Sequence, residues 1–499
     1  MKILLLFKFL LIGIGIAEGG KVLVANLLNS KSHAASIYPI AKRLAERGHE
    51  VTFLTLGTKS SGTWKGVGFK EILLNSSLLD ESYGFVFQWL AFENPFPKHL
   101  LSFYQFQDAF FKNYTNNYEY MEVISQKYDL VMINEALIGM AGLAGIYNRA
   151  KYNTTLITFS TTGLERSYLV DPNAVYTYLK PFDPLSLYHR ISILFANYKD
   201  YMANAINIDK VYGDIYNQLG ITFSVAEVYR NSTFYLAESL DKVFAPQPTT
   251  ANVIYSGSFC DETLKIEETL LEPKIKKFVE DDESMGTIYV AFGSQMPWKG
   301  MPKEKIQVFI DTFASFERYR FVWSIQIDLN EYKVPSNLLA VKWVQQMELL
   351  SHPKTLIYIN HGGLKSFREG ICTETPMIVI PFYLDQRSNA VTGQNLKIAE
   401  RVVKTNLTLV AISDKISQLI NNHQTYSTQI AKVKSFIIDR IMGSADEASF
   451  NVDKVIRIKM KHPKSKEFWK LQALNIWFYD RYFLNVFIYF VLFALLLSW

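Results

Sequence analysis

Among 499 residues the chain has only two cysteines, Cys260 and Cys372. Two thiols exclude a disulfide framework as the stabilising device, and they are too few for a cysteine metal site. Charge of one sign is also scarce. The formal net charge of +5 is mild for this length. Nucleic-acid binding would want basic residues concentrated on one face, so that class is disfavoured. There is no low-complexity tract and no short internal repeat. No Gly-x-Gly-x-x-Gly follows the first strand-like segment, where "NLLNSKSH" stands instead. A dinucleotide-dependent oxidoreductase lacks its fingerprint here.

What is abundant is apolar surface. The chain is 49% hydrophobic and 14% aromatic, enough for large cores. Its length suits two domains better than one. The N-terminus, "MKILLLFKFLLIGIGIAEGG", has a basic start and an apolar run, with Gly15 and Ala17 placed for cleavage after Ala17. It reads as a signal peptide over 1–17. The C-terminus, "FLNVFIYFVLFALLLSW", is uncharged over 482–499, and at about 1.5 Å per residue it barely spans a bilayer core. It reads as a transmembrane helix, with 461–481 as a juxtamembrane segment whose basic and aromatic residues suit an interface. Asn-x-Ser/Thr triplets at Asn75, Asn113, Asn153, Asn231 and Asn406 fit a secretory chain.

Between the ends, strand and helix patterns alternate. "KVLVANLLN", "EVTFLTL", "DLVMIN" and "TTLITFS" read as buried strands, and "AASIYPIAKRLAERG" as an amphipathic helix closed by Gly48. A second series follows: "GTIYVAF", "RFVWSI", "LAVKWV", "TLIYIN" and "PMIVIP", with helices over 302–317, 345–351, 364–373 and 386–397. Such alternation gives parallel sheets with right-handed crossovers. The expected fold is two tandem Rossmann-like, doubly wound α/β domains, 18–250 and 251–460, plus the C-terminal transmembrane helix. "FAPQPTTANVIYSGSF" is expected to lead into the linker. Residues 60–125 and 163–225, rich in aromatics, are expected to line an apolar cavity.

In such sheets ligands bind at the carboxyl ends of strands. There the second half carries Gly293 and Ser294, then His361, Gly362, Gly363 and Ser366, then Asp385 and Gln386. Glycines admit close backbone approach, and a helix start near Gly363 points amides and a positive dipole end at an anion. Ser366 and His361 add donors. Together they make a cradle for a diphosphate. Glu369, one turn beyond Ser366, suits the hydroxyls of a ribose. Trp343 can stack on a base, while Asp385 and Gln386 suit a sugar. A nucleotide-diphosphate-sugar has these parts in that order. No Asp-x-Asp metal motif stands at the cradle, so neither metal nor cofactor is expected, the nucleotide sugar being a co-substrate.

Taken together, "WVQQMELLSHP", "HGGLKSFREG" and "PMIVIPFYLDQRSNA" resemble the signature of the UDP-glycosyltransferases, in their membrane-bound, UDP-glucuronosyltransferase-like branch. The family pattern is roughly W-x-P-Q-x-x-L-L-x-H-P, H-G-G-x-N-S-x-x-E and P-x-x-x-D-Q-x-x-N-A. The likeness is strong over 337–390 and looser elsewhere. It implies the two-domain GT-B architecture, the first domain for acceptor and the second for UDP-sugar. It also implies Trp343 on uracil, Gln346 beside the nucleotide and Glu369 on the ribose. Ser294, His361, Gly363 and Ser366, with Gly293 at the same edge, would hold the diphosphate, and Asp385 and Gln386 the sugar. Gln345 and Lys365 depart from the pattern, replacing a proline and an asparagine. Lys365 could face the diphosphate or solvent.

Transfer with inversion needs a base for the acceptor hydroxyl, and histidine suits neutral pH. His33, in "NSKSHAAS", is expected in the loop after the first strand, and in this family that Ser-His carries the base. His49 has a packing role by position. The family's supporting aspartate is matched by Asn134, with Glu135 next, so either Glu135 swings in or Asn134 orients His33 as a neutral partner. The resemblance thus implies an inverting transferase moving glucuronic acid or glucose from UDP to a small lipophilic hydroxylated acceptor. Its body would lie in the lumen of the endoplasmic reticulum, anchored by one pass, with a detoxifying role. A homo-oligomer is compatible with the sequence. The competing reading is a weak or inactive membrane-tethered binder of UDP-sugars or apolar ligands, which Asn134 and Lys365 would favour. Lys365, Arg368 and Arg387 are the candidate cations for a glucuronate carboxylate.

Overall fold

A computed structural model describes residues 19–27, 31–56, 66–74, 117–135, 138–161, 186, 188, 191–192, 206–240, 252–257, 260, 271–293, 296–383, 385–462 and 484–497. The signal segment, Ser294 and most of the aromatic-rich stretches lie outside these residues.

The first sheet contains β1 (Lys21–Asn26), β2 (Glu50–Leu56), β3 (Phe69–Leu74), β4 (Leu130–Asn134), β5 (Thr155–Ser160), β6 (Ser232–Ala237) and β7 (Val253–Tyr255). Their order is β3-β2-β1-β4-β5-β6-β7, and every pairing is parallel. The second sheet contains β8 (Thr287–Ala291), β9 (Arg320–Ser324), β10 (Leu338–Val341), β11 (Thr355–Asn360), β12 (Met377–Val379) and β13 (Ala399–Arg401). Its order, β10-β9-β8-β11-β12-β13, repeats the first arrangement, again all parallel. Strands covered on both faces read as continuous apolar runs, which is why "LVMIN" and "TIYVA" are buried at every position.

In each sheet the strand order reverses between two neighbours, β1 and β4 in the first, β8 and β11 in the second. The crevice at such a reversal is where these folds take ligands. The register sets the strand ends level: Ala291 pairs with Asn360, and Asn360 with Val379. In the first sheet Ala25 pairs with Ile133 and Asn134 with Phe159.

Two expectations are corrected. The segment assigned to the linker run-up contains β7, so the first sheet continues past residue 250. His33 lies in the first turn of the helix Lys31–Glu46, not in the loop before it. The two cysteines form a single buried bridge, Cys260–Cys372, with Cα atoms 5.4 Å apart. A count of two excludes a framework of bridges but leaves room for this one. The apolar helix Leu484–Leu497 has 14 residues, and among the described residues no helix is long and apolar enough to cross a membrane.

The helix Ser444–Lys461, at the end of the second half, returns to the first domain. Its Ala448, Val452, Val455 and Ile456 share a core with Ile37, Ile40, Ala41 and Leu44 of Lys31–Glu46. Arg43 meets Asp446 at 2.9 Å. His49 has the packing role expected of it. Its Nδ1 accepts from the Gly20 amide at 3.0 Å and its Nε2 meets Asp453 at 3.2 Å.

Candidate active site

The His-Gly-Gly turn follows β11. Gly362 has φ +82°, and a Cβ there would lie 2.5 Å from Val379 and 2.9 Å from the Gln386 carbonyl, so only glycine fits. Gly363 precedes the helix Leu364–Cys372. A Cβ on it would sit 2.5 Å from His361 Nε2, and one on Gly293 would sit 3.0 Å from the same ring. The imidazole of His361 therefore stands between Gly293, just past β8, and Gly363, at the start of the helix. Among the described residues its buried Nδ1 has no partner. Burial pushes its pKa down to about 4, so it is neutral at physiological pH.

Asp385 and Gln386 brace this turn. Asp385 Oδ2 accepts from the Leu364 amide at 3.1 Å and from Asn389 Nδ2 at 2.9 Å, while Asn389 also donates to the Gly362 carbonyl at 2.8 Å. Gln386 Oε1 accepts from the Phe382 and Tyr383 amides. These contacts give both residues a fastening part that the motif does not announce. Past Leu364, the amides of Lys365 and Ser366 are those that a helix start leaves without an intrahelical acceptor. Ser366 is buried in that first turn.

On the flank, Gln346 Nε2 donates to Glu369 Oε2 at 2.5 Å, and Tyr289 donates to Gln346 Oε1 at 3.0 Å. Burial raises the Glu369 carboxyl above its ordinary range, with Arg368, Gln346 and Lys365 pulling against it. Trp343, 70% exposed after β10, offers an uncovered indole near the start of the Gln346–Leu350 helix. Gln345 has φ −69°, a value proline also adopts.

The two halves meet at Glu238, which follows β6 and is almost wholly buried. Lys365 Nζ reaches one carboxylate oxygen at 3.1 Å and Arg368 the other at 2.8 Å, and Arg368 also donates to the Gly257 carbonyl. Lys365 thus faces neither a bare diphosphate cradle nor solvent. Neither Glu238 nor Thr161 stood out in the sequence. The signal would have been the last polar residues of "FYLAE" and "ITFST", each closing a buried run at the carboxyl edge.

Facing this edge from the first domain, His33 Nδ1 is held by the Thr161 hydroxyl, just past β5. Burial and the Lys365 cation push the His33 pKa down to about 3. Asn134 instead donates to Asn26 Oδ1 at 2.6 Å, and Glu135 accepts from the Tyr229 hydroxyl at 2.7 Å.

One carboxyl edge thus carries a histidine and the other a turn lined with amides, with the Lys365 cation acting on His33 between them. The family described as UDP-glucoronosyl and UDP-glucosyl transferase matches residues 20–497. The chain belongs to this family. The chain is 27% identical to UDP-glycosyltransferase UGT5 of Dactylopius coccus over 477 residues, 89% of this chain and 85% of that one. It is 31% identical to a UDP-glucuronosyltransferase of Pleuronectes platessa over 215 residues, 43% of this chain. An ecdysteroid UDP-glucosyltransferase of Autographa californica nuclear polyhedrosis virus is 27% identical over 57% of the chain. The matched stretches span 44% and 59% of the last two relatives. Among solved structures, Os79 from O. sativa in complex with U2F and trichothecene superposes with a TM-score of 0.60 at 12% identity, covering 87% of this chain and all of that one. That likeness bears on the two-sheet fold alone.

Proposed function

We propose that the transferase is an inverting enzyme that moves glucuronic acid or glucose from UDP to a hydroxyl of a small lipophilic acceptor. One observation supports the reading above the others: Glu238 of the first half grips Lys365 and Arg368 on the helix that starts at the His-Gly-Gly turn, and the Lys365 charge acts on His33. In the proposed step His33 takes the acceptor O–H proton. The oxygen attacks the anomeric carbon from the face opposite the phosphate. The carbon–oxygen bond to the β-phosphate breaks, and UDP leaves with the electron pair. The helix dipole and the amides of Lys365 and Ser366 would steady the departing charge, with help from neutral His361 and Ser366. Trp343 would stack on uracil, with Gln346 and Glu369 at the ribose and Asp385 and Gln386 near the sugar. No step is routed through a metal, so activity should survive EDTA.

A lumenal body is supported by the Cys260–Cys372 bridge, since disulfides persist in oxidising compartments. Exposed Asn153 and Asn406 are open to glycosylation there. Anchoring by the apolar C-terminal segment belongs to the same proposal. A specific observation favours the alternative of a weak catalyst: His33 is held by a hydroxyl where the family pattern has a carboxylate. Transfer from radiolabelled UDP-glucose and UDP-glucuronic acid to a generic phenol tests the reading. Turnover that survives His33→Ala would remove the base assignment. UDP binding without turnover in the intact chain would favour the binder.

A further inference from the structure

We propose that Thr161 is the positioning residue for His33, and that this neutral pairing makes the transferase discriminate acceptors by hydroxyl acidity. The inference rests on His33 being the base. Thr161 is buried at the mouth of β5, and its Oγ1 meets His33 Nδ1. In the tautomer whose Nδ1–H donates to this oxygen, the Nε2 lone pair is left for the acceptor. A carboxylate in the same place would do one thing more: it would neutralise the imidazolium formed once the proton has moved.

Among the described residues nothing around His33 supplies that charge. The charged group acting on it is Lys365, a cation. Glu238 tempers Lys365 at 3.1 Å but divides its two oxygens between Lys365 and Arg368, so one carboxylate serves two cations. Asn134, where the family pattern has its aspartate, has its amide on Asn26, and Glu135 receives Tyr229. Burial and Lys365 both act against a charged ring, in keeping with this geometry. A base that holds a proton so weakly gains most from an acceptor that gives one up readily. Phenols ionise at about 10, whereas water needs about 15.7, with aliphatic alcohols in that higher range. The chemistry that fits is therefore a hydroxyl on an aromatic or otherwise electron-withdrawing frame.

The test measures kcat and KM for a graded series of phenols and fluorinated alcohols. It compares the full-length wild type with Thr161→Val, Thr161→Ala, Thr161→Ser and His33→Ala, with UDP calorimetry as the check of fold. For the wild type, kcat should rise steeply with acceptor acidity. Thr161→Val should lose about 10- to 100-fold in kcat, less than the full worth of a general base, with KM for the UDP-sugar unchanged. Thr161→Ala should do the same if the valine variant fails to fold, and Thr161→Ser should recover most of the loss. Wild-type turnover in Thr161→Val or Thr161→Ala, beside a dead His33→Ala, overturns this inference alone. A flat response to acidity in the wild type also overturns it. Full activity in His33→Ala overturns the base reading beneath it.

Discussion

Replacing both cysteines, Cys260→Ala with Cys372→Ala, removes a cross-link that closes 112 residues of chain. In the chain-entropy view, releasing a loop of that length returns about 16 cal/mol/K to the unfolded state, or about 5 kcal/mol at 25 °C. Residual structure in the unfolded chain lowers this figure, so it is an upper value. Trp298 and Trp323, packed edge to face in the second core with centroids 5.3 Å apart, report the unfolding by fluorescence. With a urea slope of about 3 kcal/mol/M, the midpoint should fall by about 1.5 M. UDP affinity should hold within about threefold, for a physical reason. Cys372 ends the helix whose start lies at the site, and that start is fastened independently by Asp385 and Asn389. A urea midpoint within a few tenths molar of the wild type would refute the entropic reasoning. A collapse of UDP affinity at unchanged stability would refute the claim that the two ends of the helix are held separately.

Glu238→Gln leaves Lys365 and Arg368 without their shared carboxylate and should cost about 3 kcal/mol in thermal unfolding; a neutral outcome would mean the contact adds no stability. Gly363→Ala places a methyl against His361, so calorimetry should show UDP binding at least about tenfold weaker, since backbone approach to the anion is blocked. Trp343→Ala should leave the melting temperature within about 1 °C, because the side chain is exposed and surface changes cost little, yet it should weaken UDP binding. Stability should also fall on acidification. His33, His49 and His361 all have folded pKa values below the unfolded 6.5, so the unfolded chain takes up the extra protons. The stability held above about pH 6.5 is lost as pH falls towards 4, and His361 alone accounts for about 2 kcal/mol by pH 5. Melting curves at pH 7, 6 and 5 check this, and a flat series would contradict it.

The central strands were legible because burial on both faces leaves no polar position to interrupt them. "TLIYIN" matches β11 residue for residue. Among the strands that escaped notice, β7 and β13 have only three residues, β3 is an edge strand exposed enough to break its apolar run, and β6 opens on polar Ser232 and Thr233. At the site, glycine and histidine at the carboxyl edge could be read from position, since strand ends and helix starts are local facts. Glu238 with Lys365 and His33 with Thr161 could not, because 127 and 128 residues separate the partners and only the tertiary fold joins them. The bracing by Asp385 was hidden for a related reason. Its carboxylate caps a helix other than the one it begins, so no local capping pattern betrays it.

The returning helix Ser444–Lys461 has a practical corollary for anyone dividing this molecule. A fragment that stops near residue 440 strips the cover from Ile37, Ile40 and Leu44, while a fragment of the second half carries Val452, Val455 and Ile456 as a bare greasy stripe. Neither piece owns all of its interior. The half-molecules should precipitate or cling to each other when expressed apart, and co-expression should rescue both.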